Sequence, residues 1–124
     1  MKEQEDIRNV FRMNLQPTPF SLIKSGRKTV EMRLYDDRRK NIMVGDIIIF
    51  TNLGNGEEIM VEVKQLRRFS FFERLYAYYP KERLGYKENE VANPDDMQQY
   101  YSKELIDKYG TLAIEIELLN EAFN

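Results

Sequence analysis

The hydrophobic positions of this chain change period several times, and each change marks an element. Phe11, Met13 and Leu15 alternate with Arg12, Asn14 and Gln16, the two-residue repeat of a half-buried strand. Thr18 and Pro19 then supply an N-cap and a first-turn proline. Phe20, Leu22 and Ile23 form an apolar stripe that Gly26 stops, which predicts a short helix over about 19–25. Alternation resumes from Thr29 to Tyr35, with Val30, Met32 and Leu34 on one face and Thr29, Glu31, Arg33 and Tyr35 on the other. Gly45-Asp46 turns the chain into Ile47-Ile48-Ile49-Phe50, a β-branched run too short for a helix. Gly54-Asn55-Gly56 predicts a hairpin, returned by Ile59, Val61 and Val63. The pattern slips near Gln65 and Leu66, the mark of a bulge before Phe69.

Ser70-Phe71-Phe72-Glu73 has the spacing of a capping box and predicts a helix through Tyr79, ended by Pro80. Residues 81–92 are polar and read as a loop. Asn93-Pro94-Asp95-Asp96 opens a further helical stretch, which Ser102 can recap into two shorter pieces and Gly110 ends. Leu112 to Leu119 closes the chain as a strand, with Leu112, Ile114, Ile116 and Leu118 on one side. The order β-α-β-β-β-α-α-β, without repeat or linker, predicts one α+β domain around a small barrel or curled sheet.

Composition narrows the chemistry. The 124 residues contain no Cys, His or Trp. Disulfides, thiolate nucleophiles, Cys-ligated zinc, the Ser-His-Asp triad and imidazole acid–base catalysis are therefore excluded. No cofactor motif is present, and Asp36-Asp37 and Asp95-Asp96 lack the spacing of a calcium loop, so no metal site is expected. No stretch is apolar enough to span a membrane, and the first residues do not resemble a signal peptide; the expectation is a cytoplasmic protein. Nineteen basic and 21 acidic residues give a net charge of −2. The balance is uneven: Lys24 to Lys40 contains seven basic residues and three acidic ones. A local basic face of this kind suits a polyanion.

Several of these segments together resemble a known family. Pro19-Phe20, then Ile23-Lys24-Ser25-Gly26-Arg27-Lys28-Thr29-Val30-Glu31-Met32-Arg33-Leu34, resembles the signature of ASCH domains, a branch of the PUA-like superfamily. Arg38-Arg39-Lys40-Asn41-Ile42 leading into Gly45 to Phe50, Phe69-Ser70-Phe71, Tyr100-Tyr101-Ser102 and Tyr109 to Ile114 match in the same order. The resemblance implies a PUA-like β-barrel of about five to six strands flanked by two to three short helices. Residues 11–124 would form this single domain, after an N-terminal extension over 1–10. It also implies a cleft near the helix-to-strand segment and RNA, a nucleotide or a nucleoside as partner.

Lys28, Glu31 and Arg33 are the leading candidates in that cleft. Glu31 and Arg33 share a strand face, and Lys28 can turn back toward it. Lys and Arg supply charge and a bidentate fork, and Glu accepts bonds from base or sugar donors. Tyr100 is the candidate stacking face, whereas Tyr101 and the aromatic helix of Tyr76, Tyr78 and Tyr79 read as core. Arg67 and Arg68 read as solvated surface, and Asp46 as a turn cap. Some small ASCH proteins are amidohydrolases acting on N4-acetylcytidine, with a lysine in the G-x-K-T string, a threonine three residues later and a distant glutamate. Lys28 matches the lysine, Glu31 stands where that threonine is expected, and Glu82, Glu88 or Glu90 could supply the glutamate. If the chain is an enzyme, Lys28 and Glu31 are its catalytic pair; a barrel serving protein contacts is the remaining alternative.

Overall fold

The computed structural model describes residues 8–119 as five strands and three α-helices. The strands are β1 (Val10–Leu15), β2 (Val30–Leu34), β3 (Ile47–Asn52), β4 (Glu58–Phe69) and β5 (Thr111–Leu118). The helices are α1 (Pro17–Lys24), α2 (Phe72–Tyr78) and α3 (Lys103–Tyr109). Single 3-10 segments occupy Arg39–Asn41, Lys81–Leu84 and Pro94–Gln99. Of the extension expected over 1–10, residues 1–7 lie outside the described residues. The Asn9 amide already donates to Asp46, and Val10 opens β1.

The sheet runs β1-β3-β4-β5-β2 and curls into a half-barrel. β1 pairs with β3 in parallel, and the other three pairings are antiparallel. The predicted bulge falls between Val63 and Gln65 and lets the long β4 bend between its two neighbours. Both faces of the sheet are covered. Inside the curl, Met13, Ile48, Phe50, Val61, Leu112 and Ile114 pack with Phe20 and Ile23 of α1. Outside it, Val30, Met32, Leu34 and Ala113 pack with Phe72 and Leu75 of α2 and Ile106 of α3. The two-residue alternation of β2 therefore separates two hydrophobic clusters rather than a core from solvent. Leu118 shares the inward phase of β5 but is exposed, because it lies past the covering elements.

Local signals explain most element ends and correct three expectations. α1 starts two residues early, with Gln16 as its cap residue, because the Phe20 amide already donates to the Gln16 carbonyl. Pro17 and Pro19 both sit in the first turn, where the missing N–H groups have no helical partner anyway. α2 has Phe71, not Ser70, at its N-cap, and no side chain caps it, so the capping-box reading fails. Burial of Phe72, Leu75 and Tyr79 holds that helix in place instead. Residues 81–92 are not a plain loop: the 3-10 turn Lys81–Leu84 buries Leu84, and Gly85 ends it with φ 107°. Ser102 does split the last helical stretch, its side chain accepting from the Leu105 amide.

The edges of β1 and β2 face each other across the mouth of the half-barrel without pairing. Two guanidinium groups reach across to β1, Arg33 from β2 and Arg38 from the residue before the 3-10 segment Arg39–Asn41. Arg33 donates to the Asn14 carbonyl at 3.0 Å, and Arg38 donates to the Arg12 carbonyl at 2.7 Å. These are alternate carbonyls of β1, so both point to the strand edge that β3 does not use. Charge-assisted hydrogen bonds thus close a seam where a sixth strand would otherwise pair. Among the described residues, no helix is long and apolar enough to cross a membrane.

Candidate functional site

The seam opens into a cavity of about 350 Å³. The end of β1, α1, β2 with the turn that leads into it, Leu53 after β3, Tyr76 of α2, the turn around Leu84 to Tyr86 and the stretch Asp96–Tyr101 wall it. Its size lies in the lower range of small-molecule pockets.

The inward phase of β2 places Glu31 and Arg33 on the concave side. Their register partners on β5 are the core residues Ile114 and Leu112, which directly opposite in an antiparallel pair must share their face. Lys28 arrives from the turn after α1, where the Arg27 and Lys28 amides both donate to the Leu22 carbonyl. The three side chains form one chain of charge. Glu31 Oε2 accepts from Arg33 Nε at 2.6 Å, and Glu31 Oε1 lies 3.5 Å from Lys28 Nζ. Lys28 Nζ also donates to the Leu84 carbonyl at 3.2 Å. The side chains are 8%, 6% and 11% exposed for Lys28, Glu31 and Arg33, so this is a buried array rather than a surface ladder.

Burial shifts the titrations. Loss of water pushes the Lys28 pKa below its ordinary value, although Glu31 opposes the shift. Burial also resists ionisation of Glu31. There the charges of Arg33 and Lys28 prevail and hold the carboxyl below its usual range. The array is therefore a carboxylate between two cations, one of which gives up its proton more readily than a solvated lysine. Gly85 accommodates the stem of Lys28: a methyl group on Gly85 would stand 3.2 Å from Lys28 Cδ.

All four residues singled out from sequence, Lys28, Glu31, Arg33 and Tyr100, line this one cavity. Tyr101, read as core from helical spacing, lines it too, with its ring stacked on Phe72 at 6.2 Å. Tyr76, Tyr86 and Asp96 line the cavity as well, of which Tyr86 had no functional signal in the sequence and Asp96 none beyond its place in an acidic pair. None of Glu82, Glu88 and Glu90 reaches the cavity; its carboxylates are Glu31 and Asp96. Asp46 lies apart, buried, accepting from the amides of Asn9 and Met43 as a turn cap. Arg67 and Arg68 lie on β4 over the rings of Tyr78 and Tyr35.

The basic segment looks different once folded. Lys24 pairs with Glu57, Arg39 with Asp36 and Lys40 with Asp37, while Arg38 closes the seam. Its charge is largely used within the protein, not presented as a patch.

The family model described as "ASCH domain" matches residues 13–120. The chain belongs to the ASCH domain family. Its fold is the α+β, PUA-like small barrel of that family. Among solved structures, the hypothetical protein PH0355 is 36% identical, with 90% of this chain and 100% of that chain aligned and a TM-score of 0.76. Protein PF0455 from Pyrococcus furiosus is 34% identical over 90% of this chain and 99% of that one, with a TM-score of 0.66. ASCH from Zymomonas mobilis shares the fold at 16% identity, over 90% of this chain and 73% of that one, with a TM-score of 0.63. Among curated proteins, none matches this ASCH-domain chain.

Proposed function

We propose that this ASCH domain binds a ligand of the RNA, nucleotide or nucleoside type by drawing one base into the cavity. The observation that carries the reading is the pairing of walls. A buried pole of donors and an acceptor, Lys28, Glu31 and Arg33, faces apolar and aromatic side chains that include Leu22, Tyr100 and Tyr101. A base offers matching edges and faces: hydrogen-bonding groups on its rim and a π surface on each side. Lys28 and Arg33 against Glu31 and Asp96 make the formal charge of the lining side chains zero. A neutral heterocycle enters such a space at lower cost than a phosphate, which leaves any phosphates outside.

The test is titration calorimetry with nucleosides, nucleotides and short RNA. Tyr100→Ala removes a half-exposed ring and leaves the core untouched, and it is expected to weaken binding about tenfold or more. Lys28→Met retains the stem and deletes the charge, and it is expected to reduce binding further. No binding to any member of the panel, at low or moderate salt, refutes the reading.

One observation favours a second reading, cleavage of N4-acylated cytidine-type nucleosides. Lys28, with its lowered pKa beside Glu31, has the pairing that moves a proton. Release of acetate from N4-acetylcytidine, lost on Lys28→Met, supports that reading; binding without turnover leaves a binding module.

A further inference from the structure

Base capture leaves Tyr76, Tyr86 and Asp96 of the lining without a role. Tyr76 Oη lies 2.9 Å from Tyr86 Oη, and Tyr86 Oη donates to Asp96 Oδ2 at 2.7 Å. The carboxylate only accepts, so the Tyr86 hydroxyl donates to Asp96 and accepts from the Tyr76 hydroxyl in turn. Burial and these bonds push the Tyr86 pKa up, which keeps the hydroxyl a donor. One oxygen of Asp96 is thereby fixed while the residue itself stays exposed at the cavity wall. Asp96 is not the local helix cap: Asn93 accepts from the Asp95 amide and does that work.

Depth orders the site. Lys28 and Glu31 are buried at the inner end, while Asp96 and Tyr100 are exposed at the mouth. A base seated against Lys28 leaves its sugar beside Asp96. We propose that Asp96, positioned by Tyr86, is the specificity-determining residue of the mouth. It accepts a hydrogen bond from a sugar hydroxyl and repels phosphate carried in that place, so the preferred ligand is an uncharged nucleoside. Lys28, Glu31 and Arg33 keep one net positive charge, but it is held at the buried inner end, so among the lining side chains Asp96 is the charge that a group at the mouth meets. The inference rests on base binding and narrows its ligand class.

Titration calorimetry with cytidine, uridine, adenosine and guanosine, followed by the 5′- and 3′-monophosphates of the tightest binder, tests it. Asp96→Asn retains an oxygen to accept from Tyr86 and removes the charge. Wild type is expected to bind the nucleoside about tenfold more tightly than at least one monophosphate, because that phosphate would bring its charge beside the Asp96 carboxylate. Asp96→Asn should close that gap while weakening nucleoside binding itself by about threefold to tenfold, because the sugar hydroxyl then meets a neutral acceptor, and a cooperative thermal transition shows that the variant folds. If wild type binds both monophosphates as well as the nucleoside, or if the gap survives in Asp96→Asn, the proposal is overturned and Asp96 only anchors its loop. Failure of every nucleoside to bind overturns this inference, and base capture falls with it only where nucleotides and short RNA fail as well; binding without discrimination defeats this inference alone.

Discussion

Replacing Glu31 with Gln removes the single negative charge of the buried array and keeps its shape. The consequence follows from the distances. Glu31 sits 2.6 Å from Arg33 Nε and 3.5 Å from Lys28 Nζ, so its loss leaves two cations facing each other away from water. Breaking a buried pair by removing one partner costs about 3–5 kcal/mol, because the remaining charge stays desolvated. Removing Lys28 instead leaves a neutral Glu31–Arg33 pair. Lys28→Met gives up one ion pair at 3.5 Å and leaves the Leu84 carbonyl short of its donor, a loss of about 1–2 kcal/mol. The expected order is therefore Glu31→Gln well below Lys28→Met, which lies below wild type. Urea unfolding at pH 7, read as midpoint and slope, measures it. If Glu31→Gln costs under about 1 kcal/mol, or no more than Lys28→Met, the array is not the buried, mutually dependent set described above.

The same groups set a pH dependence. The folded Glu31 pKa lies below its ordinary 4.5, so its contribution is complete above that value and is lost as pH falls through the folded pKa. The folded Lys28 pKa lies below 10.5, so the unfolded chain binds more protons there and stability rises with pH up to 10.5. Tyr76, Tyr79 and Tyr86 are shifted up from 10.0, chiefly by burial, so the unfolded chain ionises first and stability falls above 10. Urea midpoints should rise from acid, climb again on the alkaline side and turn down near pH 10; Lys28→Met should flatten the alkaline climb. Gly85→Ala must hold an alanine at φ 107° and press a methyl group against Lys28, so a loss of about 1–2 kcal/mol and weaker ligand binding are expected. Unchanged stability and affinity contradict that. Asp46→Ala strips two amide donors of their buried acceptor and should cost about 2–3 kcal/mol by thermal or urea unfolding, with Asp46→Asn intermediate. Equal losses for the two variants contradict the capping role.

Strand phase was readable from sequence because β-periodicity is local. Glu31 and Arg33 fall on one face of β2 whatever the strand packs against, and the slip near Gln65 is a bulge wherever β4 lies. The part of the lining drawn from 81–101 was hidden for a different reason. Tyr86 and Asp96 reach the cavity only because the 81–101 stretch folds back over α1 and β2, through contacts such as the Lys28–Leu84 bond, 56 residues apart. No short-range period encodes them. Tyr101 was assigned to the core on helical spacing, but Ser102 breaks the helix beside it, and the break turns one ring face against Phe72 while the residue lines the cavity. The basic segment misled in the other direction: charge counted along the chain overlooked the acidic partners that folding brings to Lys24, Arg39 and Lys40. The seam had no sequence signal either, since Arg38 is an ordinary exposed arginine until the edge of β1 stands next to it.

The central claim is that the cavity behind the β1–β2 seam receives a base against Lys28, Glu31 and Arg33. Backbone amide chemical-shift mapping of isotope-labelled protein during a nucleoside titration tests it most directly. Saturable shifts concentrated at Lys28 to Arg33, Leu84 to Tyr86 and Asp96 to Tyr101, with little change along Lys64 to Arg68, are the expected result. Shifts centred on the Arg67–Tyr78 face, or none in the cavity at saturating ligand, contradict it.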